Sequence, residues 1–273
     1  MKKSILIIGK PQSTKTRFLT QFTIRAEKGE SSVKLIDHPD DLSSISEDRK
    51  RAYMGQKATR TTAGTRSKIE LKVQIGGQEV DLTYPDSDGE QVNEIIKNRQ
   101  VSSGWKDDVE NSNYWVLFIR PNDLDTPFNT SMKSTDIKRN QGEVQEANTL
   151  MDRNFFIELI QILLFLKGIG HKKKVSTPRL VVALTCWDEL KAKKGELPED
   201  ILKKVLPLFA QFIASIWDQN AISIYGLSPQ GKELSDKSDD DFTDSLPENN
   251  GYIILPDGQK SEDITRLIAD FFQ

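Results

Sequence analysis

Short apolar runs alternate along the chain with segments of helical period. "SILIIG" at 4–9 is a short apolar run, which predicts a strand buried on both faces. Lys15 to about Glu27 carries Phe18, Leu19 and Phe22 on one face and predicts a helix. From Gly29 to Ser67 the sequence is polar without clear periodicity, apart from a short "SVKLID". In "KIELKVQI", Ile69, Leu71, Val73 and Ile75 take every second position, so the predicted strand is half exposed. "EVDLTY" follows after Gly76-Gly77, a hairpin signal. "YWVLFIRP" (114–121), "RLVVAL" (179–184) and "AISIYGLS" (221–228) are three further buried strands. "FFIELIQILLFL" (155–166) reads as a buried helix, and 198–217 as a helix with room for a kink at Pro207. "DKSDDDFTDS" (236–245) reads as an acidic loop. "SEDITRLIADFF" (261–272) closes the chain as a helix with Ser261 as its N-cap.

Strands separated by helix-length segments predict an α/β fold: a mostly parallel central sheet flanked by helices. No internal repeat or clear linker is visible. The expected organisation is one domain over 1–273 with insertions at about 29–67, 122–149 and 232–258.

Composition narrows the function. The chain has 273 residues, 36% hydrophobic and 29% charged, enough for a sizeable core. A net charge of -3 and a pI near 5.6 argue against nucleic acid or an acidic membrane as the main ligand. Cys186 is the one cysteine, so no intrachain disulfide forms, which fits a reducing cytoplasm. With only His38 and His171 beside it, a Cys/His zinc cluster is excluded within one chain. No export signal is visible, since only five positions, Ser4 and four apolar residues, separate "MKK" from Gly9. The longest apolar run, twelve residues carrying Glu158 and Gln161, is too short to be a transmembrane segment.

The chemistry begins at "GKPQSTKT" (9–16), which nearly fits the phosphate-binding pattern G-x-x-x-x-G-K-[ST]. Such a turn points backbone N–H groups at phosphate oxygens, and the following helix adds its positive end. Gly9, Gln12, Ser13, Thr14, Lys15, Thr16 and Arg17 are the candidate contacts. Lys15 would reach the outer phosphates and Thr16 would offer its hydroxyl to Mg²⁺. Thr14 stands where the second glycine belongs, and is tolerable if the helix has already begun. An ordinary strand-to-helix turn is the competing reading.

Asp86-x-x-Gly89 follows the "EVDLTY" strand. Asp86 could hold Mg²⁺ through water and the Gly89 N–H could meet a terminal phosphate; a plain Asp/Gly turn is the alternative. In "ATRTTAGT" (58–65), Thr59, Thr61, Thr62 and Thr65 compete to close over Mg²⁺, with Thr62 preferred, or the stretch is a polar surface loop. Asp188 in "TCWD" (185–188) can accept from guanine N1 and N2, a donor pair that adenine lacks. Trp187 either shields the base or packs in the core. Ser228, or a nearby N–H, would serve guanine O6. The basic runs "HKKK" (171–174) and "KAKKGE" (191–196) read as solvated helix ends, and "SDDDFTD" lacks the ligand spacing of a calcium loop.

The ordered set of phosphate loop (9–16), threonine segment, Asp86–Gly89, Thr185–Asp188 and Ser228 resembles the GTPases of the translation-factor and Ras-like class. The resemblance covers nearly the whole chain and implies GTP/GDP and Mg²⁺, with Thr16, Thr62 and Asp86 toward the metal. It departs at Cys186, where lysine is usual. The ending "GYIILPDGQKSEDITRLIADFF" is more narrowly similar to the bacterial double-GTPase family of predicted conflict systems, which implies a partner GTPase. A glutamine often orients water after D-x-x-G; here Glu90 holds that position and Gln91 is next, which implies slow intrinsic turnover. Arg60 or Arg66, or an arginine from a partner, could speed it, although surface charge is the plainer role for both.

Three functions compete. The first is a GTP-hydrolysing switch read by a second GTPase or effector. The second is a nucleotide-binding or nucleotide-free scaffold, which Thr14, Cys186 and Glu90 favour. The third is an ATP-using enzyme, which Asp188 and Ser228 disfavour.

Overall fold

A computed structural model describes residues 2–37, 42–59, 66–87, 89–124, 144–170, 173–190, 192 and 195–272. Arg60, Thr61, Thr62, Thr65, both histidines and positions 125–143 of the expected second insertion lie outside the described residues.

The apolar runs form the strands β1 (Lys2–Gly9), β2 (Val33–Leu35), β3 (Arg66–Ile75), β4 (Gln78–Ser87), β5 (Tyr114–Ile119), β6 (Arg179–Thr185), β7 (Ile222–Ser228), β8 (Tyr252–Ile254) and β9 (Lys260–Ser261). They build one sheet in the order β2-β3-β4-β1-β5-β6-β7-β8-β9. Its centre, β4-β1-β5-β6-β7, is parallel. Antiparallel pairs finish both edges. The chain leaves β1 toward one edge and returns beside it as β5 to fill the other. The strand order therefore reverses at β1, and a crevice opens at the C-terminal strand ends where ligands of such sheets sit.

Helices cover both faces. They are α1 (Lys15–Lys28), α2 (Ser43–Tyr53), α3 (Gly89–Asn98), α4 (Ser103–Asn111), α5 (Val144–Leu166), α6 (Pro198–Val205), α7 (Pro207–Ile216), α8 (Asp240–Asp244) and α9 (Arg266–Ala269). Alternation along the buried strands divides the core. Ile5, Ile7, Val116 and Phe118 face α1 and α9, packing with Phe18, Phe22, Leu267 and Ile268. Leu6, Ile8, Trp115 and Leu117 face the other layer, with Phe156, Leu159, Phe209 and Trp217. The β3–β4 hairpin turns through Gly76 (φ 55°) and Gly77 (φ 81°), both left-handed as a two-residue hairpin turn requires.

Several expectations are corrected. The polar stretch after Gly29 contains α2, whose buried side chains are Ile45, Ala52 and Asp48, too few apolar positions to show a period. The acidic stretch contains α8, capped by the Asp239 carboxylate accepting from Phe242 N. The helix expected over 198–217 is two helices meeting at Leu206, because Pro207 cannot donate into a continuous ladder. Ser261 is not an N-cap; it lies in β9, and the last helix begins five residues later at Arg266. No assignment anticipated α3 and α4.

Asp263 clasps this end of the chain. Its carboxylate accepts from Thr265 N (3.0 Å) and Thr265 Oγ1 (2.6 Å), and from Ser32 N (2.7 Å), which leads into β2. Burial alone would raise this carboxyl, but the bonds from Ser32 and Thr265 outweigh it and hold it below the usual range. A depressed carboxyl contributes stability above its unfolded value near 4, and that contribution is lost as pH falls through the folded value. Asp263→Ala should therefore cost about 1 kcal/mol at pH 7, the usual worth of a capping carboxylate, with the gap to wild type closing below about pH 4. Thermal unfolding across pH 3 to 8 checks this, and a gap independent of pH would refute it.

Candidate functional site

The loop after β1 turns back on itself. A Cβ on Gly9 would lie 2.6 Å from Ser13 Oγ and 2.8 Å from Phe118 O, so only glycine lets the loop close against β5. Gln12 (φ 62°) and Thr14 (φ 64°) both adopt the left-handed conformation. Lys15 is 8% exposed, and its ammonium donates to Gly9 O (2.8 Å), Lys10 O (2.9 Å) and Ser13 Oγ (3.3 Å). Ser13 Oγ in turn donates to Lys10 O (2.8 Å). No acidic residue occupies the first turn of α1, so its positive end is not neutralised within the helix.

Thr14 precedes the helix rather than belonging to it. It is the N-cap of α1, makes no capping bond, and its buried Oγ1 has no hydrogen-bond partner. A β-branched residue at positive φ is strained by about 1–3 kcal/mol, which is why glycine suits this position. The loop thus combines a strained turn, an orphaned hydroxyl and a buried ammonium. Inward-turned donors of this kind match a phosphate group.

The second cluster lies at the ends of β6 and β7. The Thr185 hydroxyl donates to Ile119 O (3.3 Å), so it ties β6 to β5. Cys186 turns the chain at φ 52°, and its thiol is pushed up to about 12 by burial, opposed by Arg120 and reinforced by Glu189 and Asp188. Trp187 packs in the core, its indole filling the space that a side chain on Gly226 would need. Asp188 is left facing Ser228, whose hydroxyl donates to Asp188 Oδ1 and accepts from Gly231 N (3.0 Å).

One cavity of about 370 Å³ joins the two clusters. Pro11 to Arg17 line one side; Cys186, Glu189 and Gln230 line another, and Asp188 and Ser228 are near these in sequence without lining the cavity themselves. Thr59 also lines it, with its N–H (2.6 Å) and Oγ1 (3.0 Å) both held by Asp48. Asp86 lies near the end of β4, opposite Ser67, while Gly89 and Glu90 open α3. Gln91 is turned to α4, its side-chain oxygen accepting from the Trp105 indole (2.9 Å). No group of three or more His, Cys, Asp or Glu that could hold a metal exists among the described residues.

One cavity residue escaped attention in the sequence, and another, Arg17, is marked there only as a loop contact. Arg120, at the end of β5, donates to both Glu189 oxygens (2.8 and 2.9 Å) beside Cys186. The guanidinium of Arg17 is 2% exposed, and its Nε and Nη1 have no hydrogen-bond partner. The available signal for Arg120 was an arginine directly after a buried strand.

A left-handed loop joining a central parallel strand to its helix, with an aspartate–serine pair two strands away, defines a phosphate-loop α/β protein of the GTPase class. The chain belongs to the Double-GTPase 1 family, whose model matches residues 6–271. Membership of a GTPase family implies nucleotide binding. No curated protein matches the chain. Among solved structures it is similar to the Arl6 BBS3 small GTPase of Trypanosoma brucei with a bound nucleotide analogue, GppNp. The two are 12% identical over 84% of this chain and 88% of the other, with a TM-score of 0.43.

Thr14→Gly should remove the strain and the orphaned hydroxyl together, raising stability by about 1 kcal/mol and the melting temperature by about 2–4 °C. Differential scanning calorimetry checks it; a lowered melting temperature would show that the threonine is favoured where it stands.

Proposed function

We propose that this protein is a guanine-nucleotide switch that hydrolyses GTP to GDP and phosphate with Mg²⁺, slowly on its own, and signals to partner proteins. The observation that carries the reading is the single cavity bordered at one end by the Lys15 loop and at the other by the residues flanking Asp188 and Ser228. Lys15 exchanges its loop carbonyls for phosphate oxygens. Gly9 to Thr14 cradle the chain of phosphates, and Asp188, oriented by Ser228, selects guanine.

Mg²⁺ enters this reading through the nucleotide, whose phosphate charge it would neutralise. Such an ion takes one or two protein ligands and leaves the rest to water and phosphate. The Thr16 hydroxyl, Asp86 and Thr62 are its proposed holders, and the ion would neutralise charge on the outer phosphates. Glu90 and Gln91 remain the proposed catalytic residues beside Lys15. With its side-chain oxygen engaged by Trp105, Gln91 is turned away from orienting water, which supports slow turnover. That contact also favours a second reading: a scaffold that binds nucleotide without hydrolysing it and docks on a partner GTPase. Work in the cytoplasm, possession of a partner and a part in bacterial defence belong to the proposal. No helix among the described residues is long and apolar enough to cross a membrane.

Titration calorimetry with Mg·GDP, a slowly hydrolysed GTP analogue and ATP tests the binding. Guanine nucleotides should bind and ATP should not, and Lys15→Ala should weaken binding by about 10- to 100-fold, the worth of a hydrogen bond to a charged group. Absence of guanine binding by folded wild-type protein would overturn the stand-alone switch. Single-turnover hydrolysis then separates switch from scaffold.

A further inference from the structure

Residues 56–59 are tied down almost one by one. Gln56 O accepts from Arg17 Nη2. Lys57 N donates to Ser235 O (2.8 Å), and Lys57 O accepts from Arg51 Nε (2.7 Å). Thr59 gives both its N–H and its hydroxyl to Asp48. Lys57, Ala58 and Thr59 line the same cavity as the phosphate loop.

Two of these ties are buried charges. Asp48 is 3% exposed and Arg17 2%, one from α2 and the other from the first turn of α1. Desolvation lowers Arg17 to about 10; Asp48 counters this and Arg51 adds to it. Holding a cation out of water with two unpartnered nitrogens costs several kcal/mol. Neither charge serves the packing of the core. What the pair does accomplish is to fix one short segment against the cavity from two different helices.

We infer that Arg17 and Asp48 are positioning residues for the nucleotide site, mooring Gln56–Thr59 as a fixed wall of the cavity that the phosphate loop also lines. The inference rests on the proposed nucleotide reading of that cavity. The wall acts on every nucleotide alike, because it shapes the cavity whatever the number of phosphates. A phosphate group would add negative charge to that of Asp48 beside a desolvated cation, so occupancy and mooring reinforce one another.

The test uses the full chain with Arg17→Met, which fills the buried space without a polar group, and Arg17→Lys, which keeps the charge and one donor for Gln56 O. Hydrogen exchange of the Lys57 and Thr59 amides reads the mooring; calorimetry with Mg·GDP and a slowly hydrolysed GTP analogue reads the site. Arg17→Met should speed exchange at these amides and weaken both nucleotides by about 10-fold or more, as expected for a lost bond to a charged group. Arg17→Lys should restore both to within about threefold of wild type, because it still satisfies the carbonyl. Unchanged exchange in Arg17→Met would overturn the mooring. Faster exchange with unchanged affinity would overturn the positioning. Loss of affinity in Arg17→Lys equal to that in Arg17→Met would point to a guanidinium fork on phosphate instead. Wild-type protein that binds neither nucleotide would overturn the nucleotide reading itself, a result distinct from any failure confined to the variants.

Discussion

The ammonium of Lys15, buried and bonded to the carbonyl oxygens of Gly9 and Lys10, is the contact on which the rest depends. A buried ammonium must find acceptors, and here they are the loop's own backbone. To offer them the chain has to double back immediately after β1, which forces Gln12 and Thr14 into the left-handed region. It also presses Gly9 against Phe118 of β5, so the loop geometry and the β1–β5 pairing are one constraint. The turn then launches α1 at the angle that lays Phe18 and Phe22 on the sheet. Any ligand that takes the ammonium away from those carbonyls therefore acts on the strand, the turn and the helix together.

From that start α1 becomes the post to which distant parts of the chain are fastened. Arg17 reaches Gln56, Arg25 reaches the carbonyls of Asn250 and Glu262, and Lys28 pairs with Glu248 (2.8 Å). Gln56, from the expected insertion at 29–67, and Glu248 and Asn250, from that at 232–258, are thus bonded to the central helix. Lys57 joins them to each other, through its N–H on Ser235 and its ammonium 2.6 Å from Asp236. A continuous path of bonds runs from the helix behind the phosphate loop to the loop that follows Ser228.

The parts of this fold legible in the sequence are those where burial leaves a period. β1, β5, β6 and β7 are buried on both faces and read as apolar runs. β3 is buried on one face and reads as an alternation, and its hairpin is announced by two glycines. α2 was illegible because its buried face includes Asp48, a charge that serves as an anchor rather than as core. Ser261 misled because a serine before a helical run is a cap only if the chain turns there, and this one is still in an edge strand. At the site, spacing pointed to Lys15, Asp188 and Ser228; Lys15 lines the cavity, while Asp188 and Ser228 bond each other without lining it. It pointed equally to Gln91 and Thr185, whose side chains are engaged by Trp105 and Ile119. Spacing fixes where a residue stands on its element. It does not fix where the side chain turns, nor that a distant arginine such as Arg120 arrives beside Cys186.

The charges around the cavity are unevenly placed, and this divides the labour in the proposed switch. At the base end Cys186 stays a neutral thiol, and Arg120 beside it is matched by Glu189 within 3 Å on both oxygens. At the phosphate end Lys15, Arg17 and the start of α1 are all positive, with Asp48 the buried counter-charge. A polyanion is drawn to the second end and not to the first. Affinity should then come from the phosphates. Selectivity should come from the geometry of Asp188, which is fixed by the Ser228 hydroxyl and by Trp187 wedged over Gly226. A matched ion pair at the base end contributes little attraction of its own, but it leaves the wall rigid and electrically quiet. In such a wall a carboxylate that lacks its two donors is left unpaired, and that discriminates between bases more sharply than any added cation would.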